Sequence, residues 1–259
     1  MSAVPSAATV SRLEKVAVDN GFDRELGTEG GWLCFASSQA PMRLWLTAAD
    51  DLIYLAALSM AHVVAGLGEF GDPLEAPFPE GAVGGRVVGG FRELHHFVRR
   101  AFQLSRTLPD ALLRRFEHDT AALPRATEAE RLVVQRVGQD VFRQGLIEYW
   151  DGRCAVTSLG VVELLRASHI KPWAACASDA ERLDVFNGLL LAPHLDAAFD
   201  QGFISVSAAG DVLVSGRLNS DERRLLGLEA PLRVRRLDDG HRRYLLFHRE
   251  RLFQGDDAE

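Results

Sequence analysis

The residues with the clearest chemical potential lie in the carboxy-terminal half of the chain. His169 is followed by Asn187, and then by Asp196 and Asp200. A histidine has an ordinary pKa near neutrality, so it can accept a proton from water at pH 7. Asp196 and Asp200 are four residues apart, so a helix would place both carboxylates on one face, where they could hold a divalent cation. Such a set suits hydrolysis by an activated water.

Strands and helices must bring these residues together, and the surrounding sequence predicts such elements. The spacing predicts a strand that ends at His169, a loop that includes Asn187, and a second strand over Gly188–Leu191. A helix is predicted to start near Pro193, because proline suits the first helical turn, where its missing N–H would be unbonded anyway. The prediction is therefore two strands followed by a helix.

The segment 152–202 resembles the HNH endonuclease family, which has the ββα-metal fold. Four stretches carry the resemblance: CAVT from Cys154, ASHIKPW from Ala167, NGLLL from Asn187 and PHLDAAFD from Pro193. Each residue alone would mean little, whereas their combined order and spacing are specific. A looser similarity extends to Phe253.

The resemblance implies hydrolysis of the phosphodiester backbone of DNA. His169 holds the position of the general base of the family. Asn187 matches the asparagine that braces the loop and orients the histidine ring, since a side-chain amide can fix a tautomer through one hydrogen bond. Lys171 is expected to contact the DNA backbone as a point charge. Locally, Asn187 and Gly188 would indicate only a turn.

The resemblance also implies a bound divalent metal ion. Asp196 and Asp200 are the expected ligands, and His194 is expected either to complete the site or to contact phosphate. Two positions depart from the family, which often has Asp or His at Ser168 and His at Asp196. A site dominated by carboxylates favours Mg²⁺ or Mn²⁺ over zinc. The alternative is that both aspartates are ordinary helix acids, with Asp196 stabilised by the helix dipole.

The rest of the chain is interpreted as a separate amino-terminal region. Residues 1–123 are predicted to form an α/β accessory domain, and residues 124–259 the nuclease domain, so the fold class is α+β. Helices are predicted near Ser11–Asn20 and Gly90–Leu104, and a capping signature at Thr127 precedes a further helix. Periodicity does not decide between helix and strand over 51–66.

An accessory domain of this size suggests a role in choosing the DNA, because phosphate contacts position a nuclease without reading bases. Trp32, Phe35 and Trp45 are candidates for an aromatic pocket that would hold an unstacked base. The alternative, favoured for each of them, is that the aromatic side chains fill the domain core.

Composition is that of an ordinary soluble protein, with 47% hydrophobic and 25% charged residues. No apolar run is long enough to span a bilayer and no signal pattern opens the chain, so we expect a cytoplasmic protein without membrane contact. Three cysteines without a CxxC pair argue against a cysteine-rich zinc site. The net charge of −7 opposes DNA binding. The segment 217–252, however, contains ten arginines and six acidic residues, so it is locally basic.

Together these features predict a metal-dependent HNH DNA endonuclease of the restriction or defence type. Cleavage of both strands would be served by two active sites, so a homodimer is expected as one arrangement. Two alternatives remain at this point: a catalytically inactive DNA-binding protein that kept the fold, motivated by Ser168 and Asp196, and a toxin-like nuclease that cuts without specificity.

Overall fold

The computed structural model describes residues 6–108 and 110–255. These residues fall into two compact units that divide between Ala111 and Leu112, here called the amino-terminal and carboxy-terminal units. The chain mixes helices with antiparallel sheets. None of the described helices combines the length and apolar character that crossing a membrane requires. A functional boundary near Leu123 stays a prediction.

The amino-terminal unit is built on a six-stranded sheet in which every described pairing is antiparallel. Its order is β1-β2-β3-β4-β6-β5. The strands are β1 (Arg24–Glu29), β2 (Trp32–Ala36), β3 (Arg43–Ala48), β4 (Ile53–Leu58), β5 (Asp72–Pro73) and β6 (Gly84–Gly89). The segment 51–66, left open by periodicity, divides into β4 and a short helix on either side of Ser59 and Met60, and the polar Ser59 interrupts the apolar run there.

Three helices pack on this sheet: α1 (Ala7–Asp19), α2 (Ala61–Ala65) and α3 (Phe91–Thr107). The periodic apolar side chains of α3, among them Leu94, Phe97 and Val98, are fully buried. Both predicted helices of this unit are therefore present. Of the three candidates for an aromatic pocket, Phe35 and Trp45 are 1% and 2% exposed, so these two fill the core, as the alternative anticipated. Trp32 on β2 is half-buried, and its part in such a pocket stays a prediction.

The carboxy-terminal unit combines six helices with two small antiparallel hairpins. The helices are α4 (Ala111–Thr120), α5 (Glu128–Tyr149), α6 (Asp179–Arg182), α7 (Pro193–Asp200), α8 (Ser220–Leu225) and α9 (Asp239–Arg251). The strands are β7 (Arg166–His169), β8 (Gly188–Leu191), β9 (Ile204–Val206) and β10 (Val212–Val214). Short 3₁₀ turns lie at Val162–Leu164, Trp173–Ala175 and Val185–Asn187.

The predicted strand–loop–strand–helix order is observed as β7, β8 and α7. The capping box at the start of α5 is also formed, with Thr127 and Glu130 exchanging hydrogen bonds with each other's backbone. Pro193 occupies the first turn of α7, where its missing N–H costs nothing. Local signals thus place the elements that carry the candidate site.

Candidate active site

The β7–β8 hairpin presents its two faces to different helices. His169 pairs with Gly188, and Ser168 pairs with Leu189. Side chains of paired residues share a face, and consecutive residues alternate between faces. A Cβ at Gly188 would meet Phe142 of α5, so His169 projects towards α5. Ser168 projects towards α7, which carries the predicted metal ligands. The predicted base and the predicted metal ligands therefore lie on opposite faces of the hairpin.

The His169 ring is held on three sides. It stacks on Phe142, with 3.8 Å between ring centroids and 16° between planes. The Trp173 ring lies nearly perpendicular to it, with 5.5 Å between ring centroids and 87° between planes. Its Nε2 lies 2.8 Å from the carbonyl oxygen of Arg182. A carbonyl only accepts, so Nε2 carries the proton and the neutral ring has its lone pair on Nδ1.

The Nδ1 atom of His169 is the part of the ring that can act on another molecule. It has no hydrogen-bond partner among residues 6–108 and 110–255, and it is not one of the buried polar atoms that lack a partner there. Nδ1 therefore keeps access to solvent. Burial lowers the pKa of His169 below its ordinary value, partly opposed by the hydrogen bond to Arg182. At pH 7 the ring is neutral and ready to accept a proton.

Arg182 organises the loop that supplies this carbonyl. Its guanidinium donates to the carbonyl oxygens of Trp173 at 3.3 Å and Cys176 at 3.0 Å. It also forms an ion pair with Asp179 at 2.8 Å and lies over the Trp173 ring at 5.6 Å. One residue thus holds His169 directly, through its backbone, and indirectly, through Trp173.

Asn187 holds the same loop in place through hydrogen bonds. It is fully buried, and its Oδ1 accepts from the Lys171 N–H at 2.8 Å. Its Nδ2 donates to the carbonyl oxygens of Lys171 and Glu181 at 3.2 and 3.1 Å. The hydrogen bond that was expected between Asn187 and the His169 ring is not formed. The ring is oriented instead by the hydrogen bond that its Nε2 donates to the Arg182 carbonyl. Asn187 acts on the ring only through the loop.

The acidic pair lies on the other face of the hairpin. Asp196 Oδ1 accepts a short hydrogen bond from the hydroxyl of Ser168, which is 3% exposed. Burial, and then the like charge of Asp196, raise the pKa of Asp200 to about 6. The two carboxylates are therefore close enough to repel each other, as their four-residue spacing predicted. Such a pair offers oxygen ligands to a hard divalent cation.

His194 does not join the acidic pair in a ready cluster. Within the described ranges, no group of three or more His, Cys, Asp or Glu side chains is placed to hold a metal ion. The reason is helical geometry: His194 is two residues from Asp196, so the two side chains diverge, and His194 is exposed. The predicted ligand set is thus reduced to Asp196 and Asp200. These two fit Mg²⁺, which is commonly bound by one or two carboxylates with water and phosphate completing its shell.

Lys171 is engaged within the protein. Its ammonium group forms an ion pair with Glu181 at 2.8 Å, and it lies over the Phe247 ring at 5.5 Å. Its side chain is 17% exposed. The contact of Lys171 with DNA stays a prediction; in this structure its charge is paired with Glu181. Within the fold, Lys171 helps Asn187 and Arg182 to fix the loop.

Several residues of the site were not singled out from the sequence. Arg182 and Phe142 hold the His169 ring, and Glu181 pairs with Lys171. Arg182 and Glu181 lie in the loop between the hairpin strands, where a signal existed: Ser178 begins a helical turn there, with Glu181 three residues later. No comparable signal linked Phe142 to the site, because it lies 27 residues from His169 in the chain.

Comparison with known families agrees with this geometry. Residues 154–207 match a family model described as HNH endonuclease. The resemblance to HNH endonucleases is confirmed for this segment. The segment contains the hairpin, α7 and β9, and it therefore indicates nuclease activity, for which nucleic acid is the substrate. No curated protein sequence matches the chain.

Proposed function

We propose that this protein is a metal-dependent DNA endonuclease of the restriction or defence type, with His169 as its general base. One observation carries the proposal: the proton on Nε2 of His169 is tied to the Arg182 carbonyl, while Nδ1 keeps access to solvent. A general base needs this division, since one nitrogen must be anchored for the other to point at water. The HNH segment at 154–207 supports the class of reaction.

His169 is suited to take one proton from the attacking water. The stacked Phe142 ring limits rotation of the imidazole, so Nδ1 is preorganised. The charged imidazolium that forms is disfavoured by burial, which lowers its pKa and favours release of the proton after the reaction. The base therefore operates at neutral and mildly acidic pH.

Ser168, Asp196 and Asp200 would act on the phosphate from the face of the hairpin opposite His169. Among the described strands β7 pairs with β8 alone, so a phosphate along the second edge of β7 would meet Nδ1 on one face and the carboxylates on the other. Ser168 orients Asp196 by donating to its Oδ1. A divalent cation bound by Asp196 and Asp200 would compensate the charge that develops on the phosphate oxygens.

The restriction or defence role rests on the presence of a second compact unit in the same chain as the nuclease unit. A phosphate-contacting nuclease core has little intrinsic base preference, so the amino-terminal unit is the natural place for target choice. Digestion of matched DNAs, with and without base modification, tests this part. Equal cutting of both would remove modification dependence. A homodimer and a cytoplasmic location stay predictions.

The test of the nuclease function is cleavage of supercoiled plasmid DNA with Mg²⁺, with Mn²⁺ and with EDTA. We expect cutting in either metal and none in EDTA. His169→Ala should lower the cleavage rate by about 10²–10⁴-fold while the circular dichroism spectrum is kept. The matched control is His118→Ala, because His118 is 87% exposed on α4. An active His169→Ala variant would contradict the proposal.

A catalytically inactive DNA-binding protein is the second candidate. Ser168 bonded to Asp196, together with the lack of a three-residue ligand cluster among the described side chains, favours it. The two functions differ in one result: metal-dependent cutting by the unaltered protein excludes the inactive form. Binding without cutting in any divalent metal would favour it.

A further inference from the structure

Three arginines gather where α5 ends and the HNH segment begins. Arg235 donates to the carbonyl oxygen of Trp150 at 3.3 Å, and Arg236 to that of Tyr149 at 3.5 Å. Arg153 donates to the carbonyl oxygen of Ser158 at 3.3 Å. We call Arg153, Arg235 and Arg236 the arginine patch.

The arginine patch concentrates like charge. Burial, followed by the charges of Arg236 and Arg153, lowers the pKa of Arg235, and Asp151 opposes this only in part. Arg153 and Arg235 are exposed. A guanidinium has five N–H donors. In the described part of the chain, each of these two arginines gives one hydrogen bond. Arg153 and Arg235 thus keep N–H donors at the surface that could bind a ligand, next to the charge of Arg236.

Capping of α5 explains only part of the patch. Cations near the carboxyl end of a helix interact favourably with its dipole, which accounts for Arg235 and Arg236 beside the last carbonyls of α5. Arg153 follows the helix and bonds to Ser158 instead. Arg153 therefore adds a third positive charge without capping α5, and the like charges repel one another. A bound anion would offset this repulsion.

Backbone hydrogen bonds connect the patch to the candidate active site. Ala155 N–H donates to Leu190 O at 2.7 Å, and Arg235 N–H donates to Ala155 O at 2.8 Å. Leu190 belongs to β8, which pairs with β7. Arg235 is therefore three strand spacings from β7, roughly 15 Å at about 4.8 Å each. At about 3.4 Å per base pair, this spans roughly four base pairs of DNA.

We propose that the arginine patch binds the phosphodiester backbone of double-stranded DNA a few base pairs from the cleavage site. The inference rests on the proposed nuclease function for its choice of ligand. Arginine suits this task because its planar fork matches phosphate oxygens in pairs. The contact positions the duplex across the hairpin and carries no base preference.

The experiment measures binding of the full-length protein to a fluorescent 30-base-pair duplex by anisotropy, in EDTA, over a series of salt concentrations. Each phosphate contact contributes about −0.9 to the slope of log K against log salt. We expect Arg235→Ala to weaken binding several-fold and to reduce the slope by about one, and Arg153→Ala to add a similar change. Arg235→Lys should keep the slope, because a single charge is retained.

The matched control is Arg224→Ala. Arg224 is 63% exposed on α8 and pairs with Asp221, so its removal changes net charge equally at another place. It should leave the slope unchanged. Equal slopes for Arg235→Ala and Arg224→Ala, or no binding by the unaltered protein, would overturn the proposal. Tighter patch-dependent binding to duplex RNA would also overturn it, by reassigning the ligand.

Because binding is measured without metal, the two proposals fail separately. Patch-dependent binding without cleavage in any metal would remove the nuclease function and keep the patch. Metal-dependent cleavage with an unchanged salt slope in Arg235→Ala would do the reverse. Thermal melting of each variant confirms that a change in binding does not come from unfolding.

Discussion

Two histidines of the carboxy-terminal unit pack in nearly the same way. His169 stacks on Phe142 with 3.8 Å between ring centroids, and His248 of α9 stacks on Phe199 of α7 at the same distance. The interplanar angles are 16° and 14°. Each ring also donates from Nε2 to a backbone carbonyl, that of Arg182 for His169 and that of Phe199 for His248.

The two rings differ at Nδ1. In His248 this nitrogen accepts from the Ser205 hydroxyl at 2.9 Å, and the residue is 1% exposed. In His169 it has no partner among the described residues and reaches solvent. Stacking and burial therefore do not separate a structural histidine from a candidate base. The unshared lone pair does, and the following predictions test this distinction.

The largest difference is expected in stability. His248→Ala removes a fully buried ring and leaves the buried Ser205 hydroxyl without the imidazole, while the Phe199 carbonyl keeps only its bond from the Gly202 N–H. It should lower the free energy of unfolding by about 3–5 kcal/mol. His169→Ala should cost less, because its ring is only partly enclosed. Urea unfolding followed by fluorescence measures both. Equal losses for the two variants would break the comparison.

Acid should act strongly on His248. Burial lowers its pKa to about 4, whereas an unfolded histidine titrates near 6.5. Between these values the unfolded chain binds more protons, so the stabilising effect is complete above pH 6.5 and is lost as pH falls through 4. The loss amounts to about 3 kcal/mol at most. Urea unfolding from pH 7 to 4 should show it, with a weaker pH dependence in His248→Gln. Parallel curves would contradict it.

Arg182 should affect catalysis more than binding. Arg182→Ala loosens the loop that carries the carbonyl partner of His169, and we expect kcat to fall about tenfold with KM nearly unchanged. The ring becomes more hydrated, so the pKa on the acid limb of the pH–rate profile should rise towards the ordinary value of histidine. Arg224→Ala serves as the control. An altered KM with an unchanged pH profile would indicate a different role.

The smallest effect is expected at Asp200. Its pKa is raised to about 6, so ionisation above pH 6 occurs beside Asp196 and disfavours the folded state. Asp200→Asn should therefore raise the melting temperature slightly at pH 8 in EDTA, and this increase should shrink as the pH falls through 5 and vanish below about pH 4, the ordinary pKa of an unfolded aspartate. Differential scanning fluorimetry measures the increase at each pH. The same variant should weaken Mn²⁺ binding in a calorimetric titration, and an unchanged affinity would exclude Asp200 as a ligand.

Local signals in the sequence were sufficient for the elements of the site. The proline at position 193, the apolar run of β8 and the capping box at Thr127 all act within a few residues, and the corresponding elements are present. Strand alternation also meant that Ser168 and His169 had to face opposite ways once both lay in β7. That consequence was available from the sequence and was missed.

Contacts between distant residues were decided by the tertiary structure. Every residue has a carbonyl group, so nothing in the sequence distinguishes the carbonyl of Arg182 as the partner of His169. Likewise, Lys171 is an exposed cation by type, yet folding places Glu181 beside it. The sequence by itself determined which residue types and local elements were available. Only packing decided which lone pair, that of His169 and not that of His248, was left open to solvent, because hydrogen-bond partners are set by distances in space.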